Sequence, residues 1–269
     1  MPAKTSEWYR PENERHRRHD EYGVIQVFDD GDKRFLCFGS ADEQSCQLRS
    51  RPSQLQHEYA RAMLAVITLM PESQLDNSGK GMSVTLLGLG GGTLASAIHR
   101  VLPETQITAV ELRRAVAQVA RQYFALPRTP KICVQVMEAS EYLHQADAEQ
   151  AQLLVSDLYL SEGADQRQLQ ASYIDACWVH LAEGGWLVVN LWREHREQSL
   201  WLSQLKQRFG LVLHATTADG NWIIWAQKCE VAIELPVQQK HEIRQRCKHH
   251  SVEAGFNLWR SVKPFLRYG

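Results

Sequence analysis

Between Gly88 and Asp157 the chain holds residues able to bind a nucleoside and to move a proton. Gly88, Gly90, Gly91 and Gly92 crowd one short loop after the apolar run 84–87. Glycine permits a tight turn and lets a ligand approach the backbone. The helix-like run beyond it would offer free N–H groups and a positive dipole end to an anionic group. Glu111, followed by Leu112, closes the next apolar run, at about the distance expected of an acid that accepts both hydroxyls of a ribose. Glu138 and Ala139 follow the third run. A carboxylate there could accept from an adenine amino group, with a small neighbour leaving room for the ring; the alternative is a helix-start acid favoured by the dipole. Asp157 ends the fourth run with Tyr159 close behind. That position faces the reacting end of a ligand lying across the sheet, so Asp157 could orient or deprotonate a nucleophile. Its alternative is a turn-capping aspartate.

The glycine spacing separates two cofactor classes. Gly88-x-Gly90-x-Gly92 fits a loop for an S-adenosylmethionine-type nucleoside. A nicotinamide dinucleotide would want a third small residue where Thr93 stands. The plain alternative is a glycine turn with Glu111 solvated at a strand end.

Such a constellation needs a parallel sheet, because ligands of open α/β sheets bind beyond the carboxyl ends of the strands. The pattern supplies one. Strand-like runs at 84–87, 107–110, 132–136, 153–156 and 186–191 alternate with helix-like runs at 93–101, 113–124, 139–145 and 167–181. A helix over 199–209 and a hairpin of "LVLHAT" and "NWIIWAQ" around Asp219-Gly220 close the series. Upstream, residues 1–20 read as a polar arm and 21–52 as a small β region, with "GVIQVFDDGDKRFLCFG" a hairpin and "SCQLR" a third strand. A helix over 53–70 is predicted, N-capped by Ser53 and ended by Pro71 and Asn77-Ser78-Gly79. The nucleoside-binding domain then spans 53–228, and 229–269 reads as a basic, solvated extension. The expected fold is α/β: a Rossmann-like parallel sheet with helices on both faces, preceded by β-hairpins.

Composition narrows the function classes. With 269 residues, 44% hydrophobic, the chain can bury a full-sized core. A formal net charge of −1 gives no global basic field, so nucleic acid is not an expected partner despite "RHRRH" and "KHH". No apolar run is long enough to cross a bilayer, and the start lacks a signal peptide's apolar stretch, so a cytoplasmic protein without a membrane partner is expected. The six cysteines form no C-x-x-C pair and read as reduced, mostly buried thiols. Cys247, His249 and His250 match no standard zinc spacing, and no metal is expected.

At these residues the chain resembles the spermidine synthase (polyamine aminopropyltransferase) family, over about residues 21–227. "QHEYARAML" is similar to that family's Y-Q-E-x helix, "LLGLGGGTL" to its G-G-G-D-G-G loop, "AVEL" to its acid-ending second strand, "VMEASEYL" to its G-D-G-x-x-F segment and "SDLYL" to its D-S-S-D motif. The resemblance implies the class I methyltransferase fold, Glu111 on ribose, Glu138 and Ala139 on adenine, and Asp157 as the acid taking the attacking amine's proton. It places Gln56 and His57 at the substrate end and makes a homodimer an expectation. The departures cluster where donor and acceptor amines would sit. Gly91 replaces the loop acid, Gln56-His57 the tyrosine-glutamine pair, Leu160 the second acid of D-S-S-D, and "HATTADGNW" the late tyrosine loop. A dicationic acceptor needs several carboxylates, and a loop acid would repel the carboxylate of intact S-adenosylmethionine. The chain is therefore expected to bind S-adenosylmethionine and methylate a small-molecule acceptor. A divergent aminopropyltransferase using decarboxylated S-adenosylmethionine is one alternative, and a non-catalytic nucleoside-binding protein the other.

Overall fold

The computed structural model describes residues 7–76, 81–145, 149–160, 163–197, 199–229 and 237–267. Four strands, β1 (Glu14–Asp20), β2 (Gly23–Asp30), β3 (Lys33–Cys37) and β4 (Ser45–Leu48), form an antiparallel N-terminal sheet in that order. The central sheet begins with β5 (Ser83–Leu87), β6 (Gln106–Glu111), β7 (Ile132–Val136) and β8 (Ala151–Ser156). A two-stranded hairpin, β9 (Tyr159–Leu160) and β10 (Gly163–Ala164), follows, and β11 (Leu181–Trp192), β12 (Leu211–Thr216) and β13 (Asn221–Gln227) complete the central sheet. Its order is β12-β13-β11-β8-β5-β6-β7, parallel except for antiparallel β13 between β12 and β11. Strand order reverses between β5 and β8, so Gly88 and Asp157 lie side by side at the switch point where such sheets bind ligands.

Near-continuous apolar runs such as "VTLL" and "LLVS" demand cover on both faces. One face is packed by α1 (Glu58–Ala65) and α3 (Thr93–Val101), the other by α5 (Ala139–Leu143), α6 (Ala171–His180) and α7 (Ser199–Arg208). The short α2 (Glu72–Asp76) follows α1. Between β6 and β7, α4 (Arg114–Tyr123) lends Ala115, Val116 and Val119 to a separate cluster with Ile25, Val27 and Leu36 of the N-terminal sheet. Arg113 locks this junction, its guanidinium donating to Asp20 at 2.7 and 3.1 Å and to the Gly23 carbonyl at 2.9 Å.

Three expectations change. Residues 14–20, read as part of a polar arm, form β1. As an edge strand it needs no alternating apolar face, and its charged side chains discourage further pairing. Ahead of it, Trp8 is buried and stacks on Phe35 at 4.3 Å. The helix expected from Ser53 starts at Glu58 with His57 as its cap residue. Residues 50–55 instead form turns pinned to the C-terminal segment, Gln54 donating to the Gly255 carbonyl at 2.8 Å. The Asn77-Ser78-Gly79 stop lies outside the described residues.

The largest change is at the C-terminus. The expected solvated extension forms α8 (Val237–Ala254) and α9 (Leu258–Val262), docked on the α1/α3 face. Ile243, Cys247, His250 and Ala254 share the buried side of α8, at helical spacing. Phe265 stacks on Trp225 at 3.6 Å with the rings 3° from parallel. We expect Phe265→Ala to cost about 3–5 kcal/mol of stability in urea unfolding, the usual scale for a buried aromatic. An unchanged midpoint would mean that the segment is not docked.

Candidate functional site

A cavity of about 440 Å³ opens at the carboxyl ends of β5, β6 and β8. That is within the size range of small-molecule sites. Of the residues predicted from the sequence, Gly88, Gly90, Glu111, Leu112, Glu138, Ala139, Asp157, Tyr159 and His57 line it.

Gly88 (φ 94°), Gly90 (φ 53°) and Gly92 (φ 72°) all take left-handed backbone conformations. A Cβ on Gly88 would lie 2.3 Å from the Asp157 carbonyl oxygen, so glycine here lets β5 and β8 end together. Beyond the loop, Thr93, Leu94 and Ala95 line the cavity at the start of α3. The first-turn N–H groups of a helix have no intrahelical acceptor, and cap residue Gly92 has no side chain to supply one.

Gly91 and Gly92 do not line the cavity. A Cβ on Gly91 would meet the Phe124 ring at 2.8 Å and Ser45 Cβ at 2.9 Å, while one on Gly92 would meet Leu126 at 2.8 Å. The Gly91 N–H donates to Ser45 Oγ at 2.8 Å. The expectation that Gly91 and Gly92 belong to the cofactor-binding loop is therefore corrected: neither borders the cavity. The missing side chain of Gly91 makes room for the packing of the loop between β4 and the end of α4.

Glu111 is 8% exposed. Its Oε1 accepts from the Arg113 N–H at 2.9 Å, and its Oε2 from Leu89 N–H at 3.2 Å and Gly90 N–H at 3.4 Å. The carboxylate thus fastens the glycine loop to β6 while facing the cavity. Burial pushes its pKa up, and the three N–H donors and Arg113 act against that shift.

Glu138 caps α5, its Oε2 accepting from Ser140 and Glu141 N–H groups at 2.8 and 3.1 Å. Its Oε1 lies 3.0 Å from the Arg167 guanidinium. The helix-capping alternative is thus realised, at a position that also borders the cavity.

Asp157 continues β8 through its N–H to the Leu87 carbonyl at 2.9 Å. Its Oδ1 accepts from Asn190 Nδ2 at 2.8 Å, and Asn221 Nδ2 in turn donates to Asn190 Oδ1 at 3.0 Å. Burial raises the carboxyl to about 6, against the lowering effect of the Asn190 bond. A carboxylate in that range can exchange a proton near neutral pH. Tyr159 meets Trp192 edge-on at 5.8 Å; burial raises its phenol, with Asp157 adding to the rise and a hydrogen bond with Asn221 acting against it.

Gln56 is not part of the lining. Its amide donates to the Gln54 carbonyl at 2.7 Å within the turn before α1, so its expected substrate role is withdrawn. His57 does face the cavity, stacked on Tyr59 at 5.2 Å. Its Nε2 lies 3.7 Å from Glu43. Burial lowers its pKa, with Asp219 opposing. The side chain of Leu160 lies outside the described residues.

The sequence reading missed the acids that other segments deliver. Asp42 and Glu43 come from the loop between β3 and β4, and Asp219 from the β12–β13 turn. Burial raises Glu43, and Asp219 adds to that rise. The Ala218 N–H bond to Glu58, 2.9 Å, ties the Asp219 turn to α1. No local motif marks these three residues, because each lies in an ordinary polar turn. Tyr59 is a further addition, half-buried with Asp157 and Tyr159 nearby; desolvation raises its phenol, and both neighbours add to that.

No family model matches the chain. It is similar to the polyamine aminopropyltransferase of Neisseria meningitidis serogroup A, 27% identical over 210 residues, with 75% of each chain covered. In fold it is similar to a probable spermidine synthase from Corynebacterium glutamicum (TM-score 0.71, 21% identity, 86% of each chain covered). It is also similar to human methyltransferase-like protein 13 in complex with SAH (TM-score 0.65, 20% identity), over 72% of this chain and 92% of that one.

Proposed function

The chain is spermidine synthase-like and has the class I methyltransferase fold; on that premise we propose that it transfers the methyl group of S-adenosylmethionine to an amine. One observation carries the reading: Asp157, held near neutral range by burial, ends a strand inside a cavity rimmed with carboxylates. The residues fit a nucleoside with a sulfonium side chain. Glu111 would take the ribose, Ala139 would leave space for adenine, and Glu138 would border it. When bound, the cofactor supplies an electrophilic methyl carbon. Asp42, Glu43 and Asp219 favour a cationic acceptor by charge. Asp157 would accept the proton that the amine gives up, and Asn190 would hold that carboxylate in place.

Intact S-adenosylmethionine is favoured over its decarboxylated form by the start of α3. The open N–H groups of Thr93, Leu94 and Ala95 and the helix dipole suit a carboxylate and disfavour an ammonium. The second reading, aminopropyl transfer, draws on Glu43 and Asp219, carboxylates of the kind that a diamine acceptor needs and that the sequence alone did not place. Calorimetric titration distinguishes the two. S-adenosylmethionine should bind more tightly than the decarboxylated donor. The opposite order would replace methyl transfer by aminopropyl transfer. Substituting Gly91 by Asp is not a clean probe of this preference, because the new side chain would meet Phe124 and Ser45.

A further inference from the structure

We propose that the C-terminal helices form a second binding site, for single-stranded nucleic acid, away from the transferase cavity. A groove of about 620 Å³ runs between the outer side of α8 and the start of α9. His241, Arg244 and Lys248 line one side of it, and Phe256, Asn257 and Trp259 the other.

The cations are an outward consequence of how α8 docks. With Ile243, Cys247, His250 and Ala254 turned into the core, Lys240, Arg244 and Lys248 recur every fourth residue along the flank of that stripe, Arg244 and Lys248 exposed. The acids of α8 are engaged elsewhere, Glu242 with Arg246 at 3.7 Å and Glu253 with Arg100 at 3.3 Å. Arg244 and Lys248 have no carboxylate partner among the described residues. The molecule's net charge of −1 hides this local excess.

The aromatic side selects among anionic partners. Phe256 and Trp259 are half-buried, and each already carries a guanidinium over its ring, Arg61 over Phe256 at 5.3 Å and Arg244 over Trp259 at 5.6 Å. Rings and guanidinium planes are surfaces on which unpaired bases stack, while adjacent cations take the phosphates. An acidic peptide would satisfy the charges and leave the rings unused. A duplex buries its base faces and could use only the charges. The groove therefore fits a strand whose bases are free.

The test is fluorescence anisotropy with a labelled oligouridylate of about twelve nucleotides, using the full chain. Binding should weaken steeply with salt. Arg244→Gln and Lys248→Gln should each lower the slope of log K against log salt by about 0.7, the value per phosphate contact for single strands. Trp259→Leu should weaken binding roughly tenfold or more, on the scale of a lost base stack. Melting temperatures of the variants check folding, and the two surface substitutions keep the test decisive if Trp259→Leu unfolds. Absent binding overturns the proposal. So does equal binding of polyglutamate or duplex, or a free mononucleotide that binds as well as the strand. Methyl-donor titration reads the other cavity, so failure there leaves this site standing, and the reverse holds too.

Discussion

Asp157→Asn is expected to reduce turnover on an amine acceptor by about 10²–10⁴-fold, the usual contribution of a general base. Affinity for the cofactor should change far less. The asparagine keeps the shape and can still present an oxygen to Asn190, so the loss isolates the proton-accepting role. The pH dependence gives a second signature. The carboxyl is raised to about 6, so wild-type rate should climb as pH passes through that value, and the limb should vanish in the variant. Stability should move the other way. A carboxyl raised above its unfolded value, about 3.9, favours the fold fully below pH 4 and loses that contribution as pH climbs through 6. Above pH 6 the wild type thus carries a half-buried, desolvated charge that the variant lacks. Asp157→Asn should gain on the order of 1–3 kcal/mol there, and nothing near pH 3.5. Wild-type turnover in the variant would return Asp157 to a turn-capping role. Turnover lost together with stability at pH 8 would point to misfolding.

Glu111→Ala should cost S-adenosylmethionine affinity a hundredfold or more, from two charge-assisted hydrogen bonds of roughly 1.5–3 kcal/mol each. The structure adds a second consequence. The same carboxylate satisfies the N–H groups of Leu89, Gly90 and Arg113, so its removal should also loosen the glycine loop and lower the melting temperature. Glu111→Gln separates the effects, since it keeps one acceptor oxygen for the loop and loses the charge. Calorimetry beside thermal unfolding reads both. Unchanged affinity in the glutamine variant, with a lowered melting temperature in the alanine one, would make Glu111 a loop fastener alone.

The parallel sheet was legible because its strands are short apolar runs at regular spacing, and β7, α3, β12 and β13 fall where their patterns place them. The glycine loop and the acids ending β6 and following β8 were legible too, since one chain segment carries strand, turn and helix together. Periodicity also marks an edge strand poorly. Residues 14–20 carry no apolar side chain, so β1 shows no hydrophobic alternation, and only pairing with β2 defines it. The C-terminal helix failed for a related reason. Its narrow buried stripe of Ile243, Cys247, His250 and Ala254 lies among charged residues, and it becomes a helix face only against α3 and the segment Val66–Leu69 that follows α1.

Within the site the same division holds. Sequence alone determined that a strand-end acid, a glycine turn and a second strand-end acid would meet, because parallel strand order forces their carboxyl ends together. The tertiary structure decided which way each side chain faces. It turned Gly91 into the packing against Phe124, gave Gln56 to a local turn, and brought Asp42, Glu43 and Asp219 to the cavity from loops far apart in the chain. Cβ direction and loop placement are set by contacts between segments distant in sequence, and no local pattern of residue types encodes them.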